Sequence, residues 1–264
     1  MAEPIIIFMD LKTLRPHLLG GGRSEIDNTG GFKLSIPPTS SGYADAQLDD
    51  YGGRSRSDFA WSAPTTLRLR ARASHASPPG TLGFGFWNDP FGISLSGAGS
   101  ARRFPSAPQA LWFFYGSKPN DFSFVEEGVG TGWKAATLRS VRYPTALLVP
   151  GAAAAFLLAS LPLVRRWIVP MVRKQAAAAE VLLDTPLDEW HEYALSWQTD
   201  GAVFRVDGDL VAETNVVPYG PLGFVVWIDN QYAVLSEAKG IRFGLLPTEQ
   251  EYSLEIQDLE VEHG

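Results

Sequence analysis

One motif occurs twice and constrains the fold more than any other feature of the chain. Leu82-Gly83-Phe84-Gly85-Phe86-Trp87-Asn88-Asp89 returns 140 positions later as Leu222-Gly223-Phe224-Val225-Val226-Trp227-Ile228-Asp229. Side chains alternate faces along a strand. Read as strands, the copies sort alike. Leu82, Phe84 and Phe86 share one face, as do Leu222, Phe224 and Val226. Trp87 and Asp89, and likewise Trp227 and Asp229, take the other face, beside the small Gly83 and Gly85 in the first copy. A strand with an apolar face toward a core and an indole plus a carboxylate on the opposite face can line a ligand groove. The other reading is that both indoles are core.

The rest of the chain reads as strands and turns. Thr66 to Arg72 alternates strictly, Leu67, Leu69 and Ala71 inward and Arg68, Arg70 and Arg72 outward, as on a solvated sheet face. Ala110-Leu111-Trp112-Phe113-Phe114-Tyr115 is a short apolar run closed by Gly116, consistent with a strand buried on both faces. Asp207-Gly208 has the residues a tight hairpin prefers, because Gly accepts positive φ. With 45% hydrophobic and 19% charged residues in 264, the chain is globular and long enough for one large all-β domain. A net charge of -7 argues against nucleic acid as a partner. The absence of cysteine removes disulfides, thiolate metal sites and a thiol nucleophile. The start, Met1 to Asp10, has no basic n-region and only a short apolar run, so a cytoplasmic location is expected.

Residues 143–184 break the pattern. Thr145 to Val164 is 20 residues without a charge, followed by Arg165-Arg166-Trp167 and, later, by the helix-forming Ala176 to Leu183. Pro150, Pro162 and Pro170 divide it into pieces. A helical insertion within one sandwich domain spanning 1–264 is expected. It serves either as a lid or membrane-surface element, with Phe156, Leu157, Leu158, Trp167, Arg165 and Arg166 at the boundary, or as helices packed on the sheet. A crossing span is topologically unfavourable, because it would separate the strands on either side of it.

Trp190-His191-Glu192-Tyr193-Ala194-Leu195-Ser196-Trp197, then Asp200-Gly201, then Phe204-Arg205-Val206-Asp207-Gly208 and the strand ending at Trp227, resembles family 16 of the glycoside hydrolases. The match runs from about Trp190 to the end, with weaker support from Thr81 to Pro90. It implies a concanavalin A-like antiparallel β-sandwich, a jelly roll of two sheets with ligands on the concave one. That family carries E-x-D-x-x-E on its catalytic strand. No such string occurs here, and the position where it would fall, Ala110 to Tyr115, contains no acid.

The resemblance therefore transfers no catalytic residue. What remains is the repeat: Asp89 and Asp229 as a carboxylate pair for acid–base work, or as hydrogen-bond acceptors. Trp87, Trp227, Trp112, Tyr115, Asn88 and Asn230 would then contact the ligand. Asn88-Asp89-Pro90 and Asp229-Asn230-Gln231 are equally good turn formers. His17, His75, His191 and His263 lack metal-ligand spacing, so neither metal nor cofactor is expected. The expected function is binding or transformation of a small molecule (a glycan, a glycolipid or an apolar compound) in a Trp/Asp-lined groove. The alternatives are a noncatalytic protein-interaction module and a divergent hydrolase with relocated carboxylates.

Overall fold

The computed structural model describes residues 7–27, 30–90, 103–125, 128, 130–142, 151, 158, 161, 164–236 and 238–264. Within them the chain builds two large antiparallel sheets, the sandwich implied by the resemblance to family 16. The back sheet contains β1 (Ile7–Phe8), β3 (Arg23–Ile26), β4 (Phe32–Ile36), β6 (Thr65–Ala73), β11 (His191–Trp197), β12 (Ala202–Val206), β13 (Asp209–Thr214) and β17 (Tyr252–His263). Their order is β13-β12-β11-β6-β17-β4-β3, with β1 added on β17. The front sheet contains β2 (Arg15–Leu19), β5 (Asp45–Asp49), β7 (Thr81–Trp87), β8 (Gln109–Gly116), β9 (Gly132–Ser140), β10 (Ala176–Leu182) and β14 (Gly223–Asp229). Their order is β10-β9-β8-β7-β14-β5-β2. A separate hairpin joins β15 (Gln231–Ser236) to β16 (Gly240–Leu245).

Period-two alternation fills the space between the sheets. Leu82, Phe84 and Phe86 of β7 meet Leu67 and Leu69 of β6 and Tyr193, Leu195 and Trp197 of β11 in one buried cluster. Phe84 lies 5.4 Å from Phe113 and 5.1 Å from Tyr193, centroid to centroid, an edge-and-tilt geometry that suits aromatic quadrupoles. On the outside of the back sheet, Arg72 pairs with Glu255 at 3.2 Å, and Arg70 and Arg72 lie over the Trp190 ring. The arginine stripe is thus a solvated, charge-paired face. Asp207 and Gly208 both have positive φ, 51° and 85°, as the tight turn between β12 and β13 requires. His191 Nδ1 lies 2.6 Å from Asp207 Oδ2, which fixes that turn against β11.

Within the insertion the described residues are part helix and part strand. One helix, α1 (Arg165–Arg173), is described, with Ile168 and Val169 buried. Ala176 to Leu182, expected to continue as helix, instead forms β10 and pairs in register with β9, Ala176 opposite Ser140 and Leu182 opposite Lys134. Helix propensity is a weak preference, and an open sheet edge that can satisfy the backbone outweighs it. Among the described residues no helix is long and apolar enough to cross a membrane. Phe156 and Leu157 lie outside the described residues.

Candidate functional site

The repeated strands are neighbours. β7 and β14 run antiparallel with Trp87 opposite Gly223 and Trp227 opposite Gly83; the Trp227 indole lies over Gly83, and the Tyr51 ring lies over Gly223. Space there is tight: a Cβ on Gly83 would fall 2.7 Å from Trp227 Cη2 and 2.3 Å from the Phe113 carbonyl oxygen. The adjacent β8 puts Trp112 opposite Gly85. The outer face of the front sheet therefore carries a continuous aromatic row. Trp87 to Trp112 is 6.0 Å, Trp112 to Trp227 is 5.5 Å and Trp112 to Phe114 is 5.5 Å. Trp87, Trp112 and Phe114 are half-buried, while Trp227 is 8% exposed.

Polar margins flank the row. On one side β5 presents Asp45, Gln47 and Asp49 outward, because Ala46 and Leu48 point into the core. The Gln47 amide donates to Asp49 Oδ2 at 2.9 Å and to Tyr51 Oη at 3.2 Å, and that hydroxyl accepts from the Trp87 indole at 2.5 Å. On the other side Lys134 of β9 pairs with Glu180 of β10 at 3.0 Å, its ammonium 5.7 Å from the Phe114 centroid. One end is closed by Arg103. Its guanidinium pairs with Asp89, donates to the Arg54 and Tyr51 carbonyls at 2.7 and 2.5 Å, and lies over the Tyr51 and Phe59 rings.

The antiparallel register corrects the expected acid pair. Asp229 stands opposite Thr81, six strand positions from Trp87, so Asp89 and Asp229 lie about 20 Å or more apart at opposite ends of the row. The strand neighbour of Asp229 is Asp45, directly across the β14–β5 ladder on the same face. Asp229 Oδ1 accepts from Thr81 Oγ1 at 2.7 Å, from the Thr81 amide at 3.3 Å and from the Gln231 amide at 3.1 Å. Thr81 Oγ1 in turn accepts from the Trp227 indole at 3.0 Å, which couples the row to the carboxylate. Burial pushes the Asp229 carboxyl up to about 6 against those donors. Burial, then the charges of Asp229 and Asp49, raise Asp45 well above the usual carboxylate range. His17 Nε2 stands 3.9 Å from Asp45 Oδ2. Like charges face each other in a dry place, which favours one proton shared by the pair over two charges, while the donors at Asp229 favour its ionised form.

Three other expected ligand contacts lie elsewhere. Tyr115 belongs to the inter-sheet core, because it is three residues from Trp112 and so faces the opposite way. Asn88 is consumed by its loop, donating to Ser106 Oγ and the Ala107 carbonyl and accepting from the Gln109 amide. Asn230 is fully buried, accepts from the Ala44 amide and donates to the Gly42 and Leu246 carbonyls. Both are structural staples. The β5 residues were missed, although strict alternation in Asp45-Ala46-Gln47-Leu48-Asp49 was the available signal. Two open depressions, of about 430 and 440 Å³, lie away from the row, beside His191 and Asp207 and beside Lys118 and Lys239. Among the described residues no cluster of three His, Asp or Glu side chains is spaced to hold a metal ion.

No protein-family model matches the chain, and no curated protein matches it. Solved structures similar to it include a GlcNAcα1-4Gal releasing endo-β-galactosidase from Clostridium perfringens, 14% identical, TM-score 0.46, over 96% of this chain and 59% of that one. This chain thus spans about three-fifths of that protein's length. A laminarinase from Flavobacterium sp. UMI-01 is 13% identical, TM-score 0.45, over 96% of this chain and 94% of that one. The carbohydrate recognition domain of Emp47p is 10% identical, TM-score 0.47, over 96% and 89%.

Proposed function

We propose that the protein binds a carbohydrate-bearing ligand across the outer face of its front sheet. The observation that carries this reading is the half-open row Trp87–Trp112–Phe114 set between polar margins. A sugar ring has apolar C–H faces and a hydroxyl rim. Tilted indoles accept the faces, while the half-buried Gln47 and Thr81 beside the row meet the rim.

The string E-x-D-x-x-E does not occur in the sequence, so no catalytic residue of family 16 is carried over to this chain. On β8 the residues facing the row are Trp112 and Phe114, neither of them an acid. If the ligand is transformed, the groups that move a proton are Asp45 and Asp229, one protonated and one ionised beside Trp227. Titration with a panel of oligosaccharides and glycolipid headgroups, followed by indole fluorescence and calorimetry, tests the reading. Saturable binding by the native protein that is lost in Trp112→Ala supports it; equal binding by both, or none across the panel, refutes it.

A further inference from the structure

On the far side of the insertion the structure presents a surface of a different kind. Three successive backbone bonds, Leu161 N to Leu158 O, Val164 N to Leu161 O and Trp167 N to Val164 O, at 3.1, 3.0 and 2.9 Å, step through the chain every third residue. Side chains three apart in such turns lie one above the other. Leu158, Leu161 and Trp167 are 40%, 50% and 69% exposed, and Met171, one helical turn beyond Trp167, is 50% exposed. The opposite side of α1 is anchored: Ile168 and Val169 are buried, and the Arg173 guanidinium donates to the Ser123 and Leu235 carbonyls at 3.2 and 2.9 Å. The ridge is therefore held outward on a fixed base.

Charge says what meets it. Tyr143 to Ala179 contains Arg165, Arg166, Arg173 and Lys174 and no acid, a charge of +4, whereas the whole chain carries -7, leaving -11 for the rest. Arg166 and Lys174 are exposed at the two ends of α1, Arg166 lying over the Trp167 ring at 5.5 Å. An apolar ridge with a tryptophan, on a segment whose charges are all positive, is complementary to acyl chains beneath anionic headgroups. We propose that α1 and its leading turns dock the protein, without crossing, on an anionic lipid surface.

The experiment is co-sedimentation of the full chain with vesicles of phosphatidylcholine containing phosphatidylglycerol, and with phosphatidylcholine alone. Binding is expected to the first and to weaken by about fivefold for each of Arg166→Gln and Lys174→Gln, the effect of one surface charge. Trp167→Ala should weaken it about tenfold or more with the thermal transition unchanged, since the side chain packs on nothing that holds the fold. The chain has no cysteine, so Met171→Cys and Arg68→Cys each take a single spin label. Immersion of the label in hydrocarbon at 171 and not at 68 is expected. Equal partition onto both vesicles, insensitivity to Trp167→Ala, or a water-exposed label at 171 overturns the proposal. So does binding to heparin that matches the vesicles and ignores Trp167→Ala, because the surface would then be a polyanion site.

Discussion

Trp87 and Trp227 occupy one position in two neighbouring copies of a motif, yet their surroundings differ. Trp87 is half-buried, with its indole bonded to Tyr51 Oη; Trp227 is 8% exposed, bonded to Thr81 and packed in a cluster with Tyr51, Phe59 and Val225. Asp89 and Asp229 part further. Asp89 sits past the strand end at a φ of 43°, where it holds Arg103, while Asp229 remains in the strand, buried and opposite another carboxyl. A shared pattern assigns a side chain to a face. The neighbouring strand decides whether it becomes a platform, a pillar, a clamp or an acid.

The largest effect should come from emptying the two indole sites. Trp227→Ala should cost about 3–5 kcal/mol in denaturant unfolding, the range for removing a packed aromatic side chain, and Trp87→Ala clearly less. Equal losses would erase the distinction between pillar and platform.

The carboxylates should diverge in sign. Asp229→Asn keeps an Oδ1 that accepts from Thr81 Oγ1 and from the Thr81 and Gln231 amides, and removes a buried charge. The folded-state value of about 6 lies above the ordinary 3.8, so the folded protein binds this proton more tightly than the unfolded chain. That contribution to stability is complete below about pH 4 and is lost as pH rises through about 6. Asp229→Asn should therefore stabilise by about 1–3 kcal/mol at pH 8 and hardly at all at pH 4, read from paired unfolding curves. Asp89→Asn should destabilise by about 1–3 kcal/mol at pH 8, because the 6%-exposed Arg103 guanidinium loses its counter-charge. Two shifts of the same sign would show that the copies do equivalent electrostatic work.

Ligand contact should follow openness. Trp112→Ala and Trp87→Ala should each weaken glycan binding by about 1–3 kcal/mol in calorimetry at small cost to folding. The smallest effect expected is on affinity in Asp229→Asn, with a turnover loss of about 100-fold only if the pair moves a proton. Unchanged turnover would assign Asp229 to holding Thr81 and Trp227 in place.

The faces of β7 and β14 were legible because alternation is local: Leu82, Phe84 and Phe86 could only go inward together. Tyr115 shows the same rule neglected. Three positions from Trp112 it must point the other way, into the inter-sheet core. The partner of Asp229 was not legible at all. Asp45 is 184 residues away in sequence, and no local pattern encodes which strand lies beside which, or that antiparallel pairing would send Asp89 to the opposite end. The tetra-alanine stretch misled for a third reason. Its intrinsic preference is helical, and only the free edge of β9, a tertiary fact, makes it a strand.

That strand also depends on Lys134 and Glu180 for its alignment. Ala176 to Ala179 are interchangeable against β9, so slipping by one residue would cost their packing almost nothing. Glu180 removes the degeneracy: it reaches Lys134 and accepts from the Phe124 amide at 3.3 Å only in the observed alignment, and a one-residue slip would turn a carboxylate toward Trp133 and Ala135 in the dry interior. The ion pair thus works less as a weld than as an address, giving a featureless edge segment one place to land.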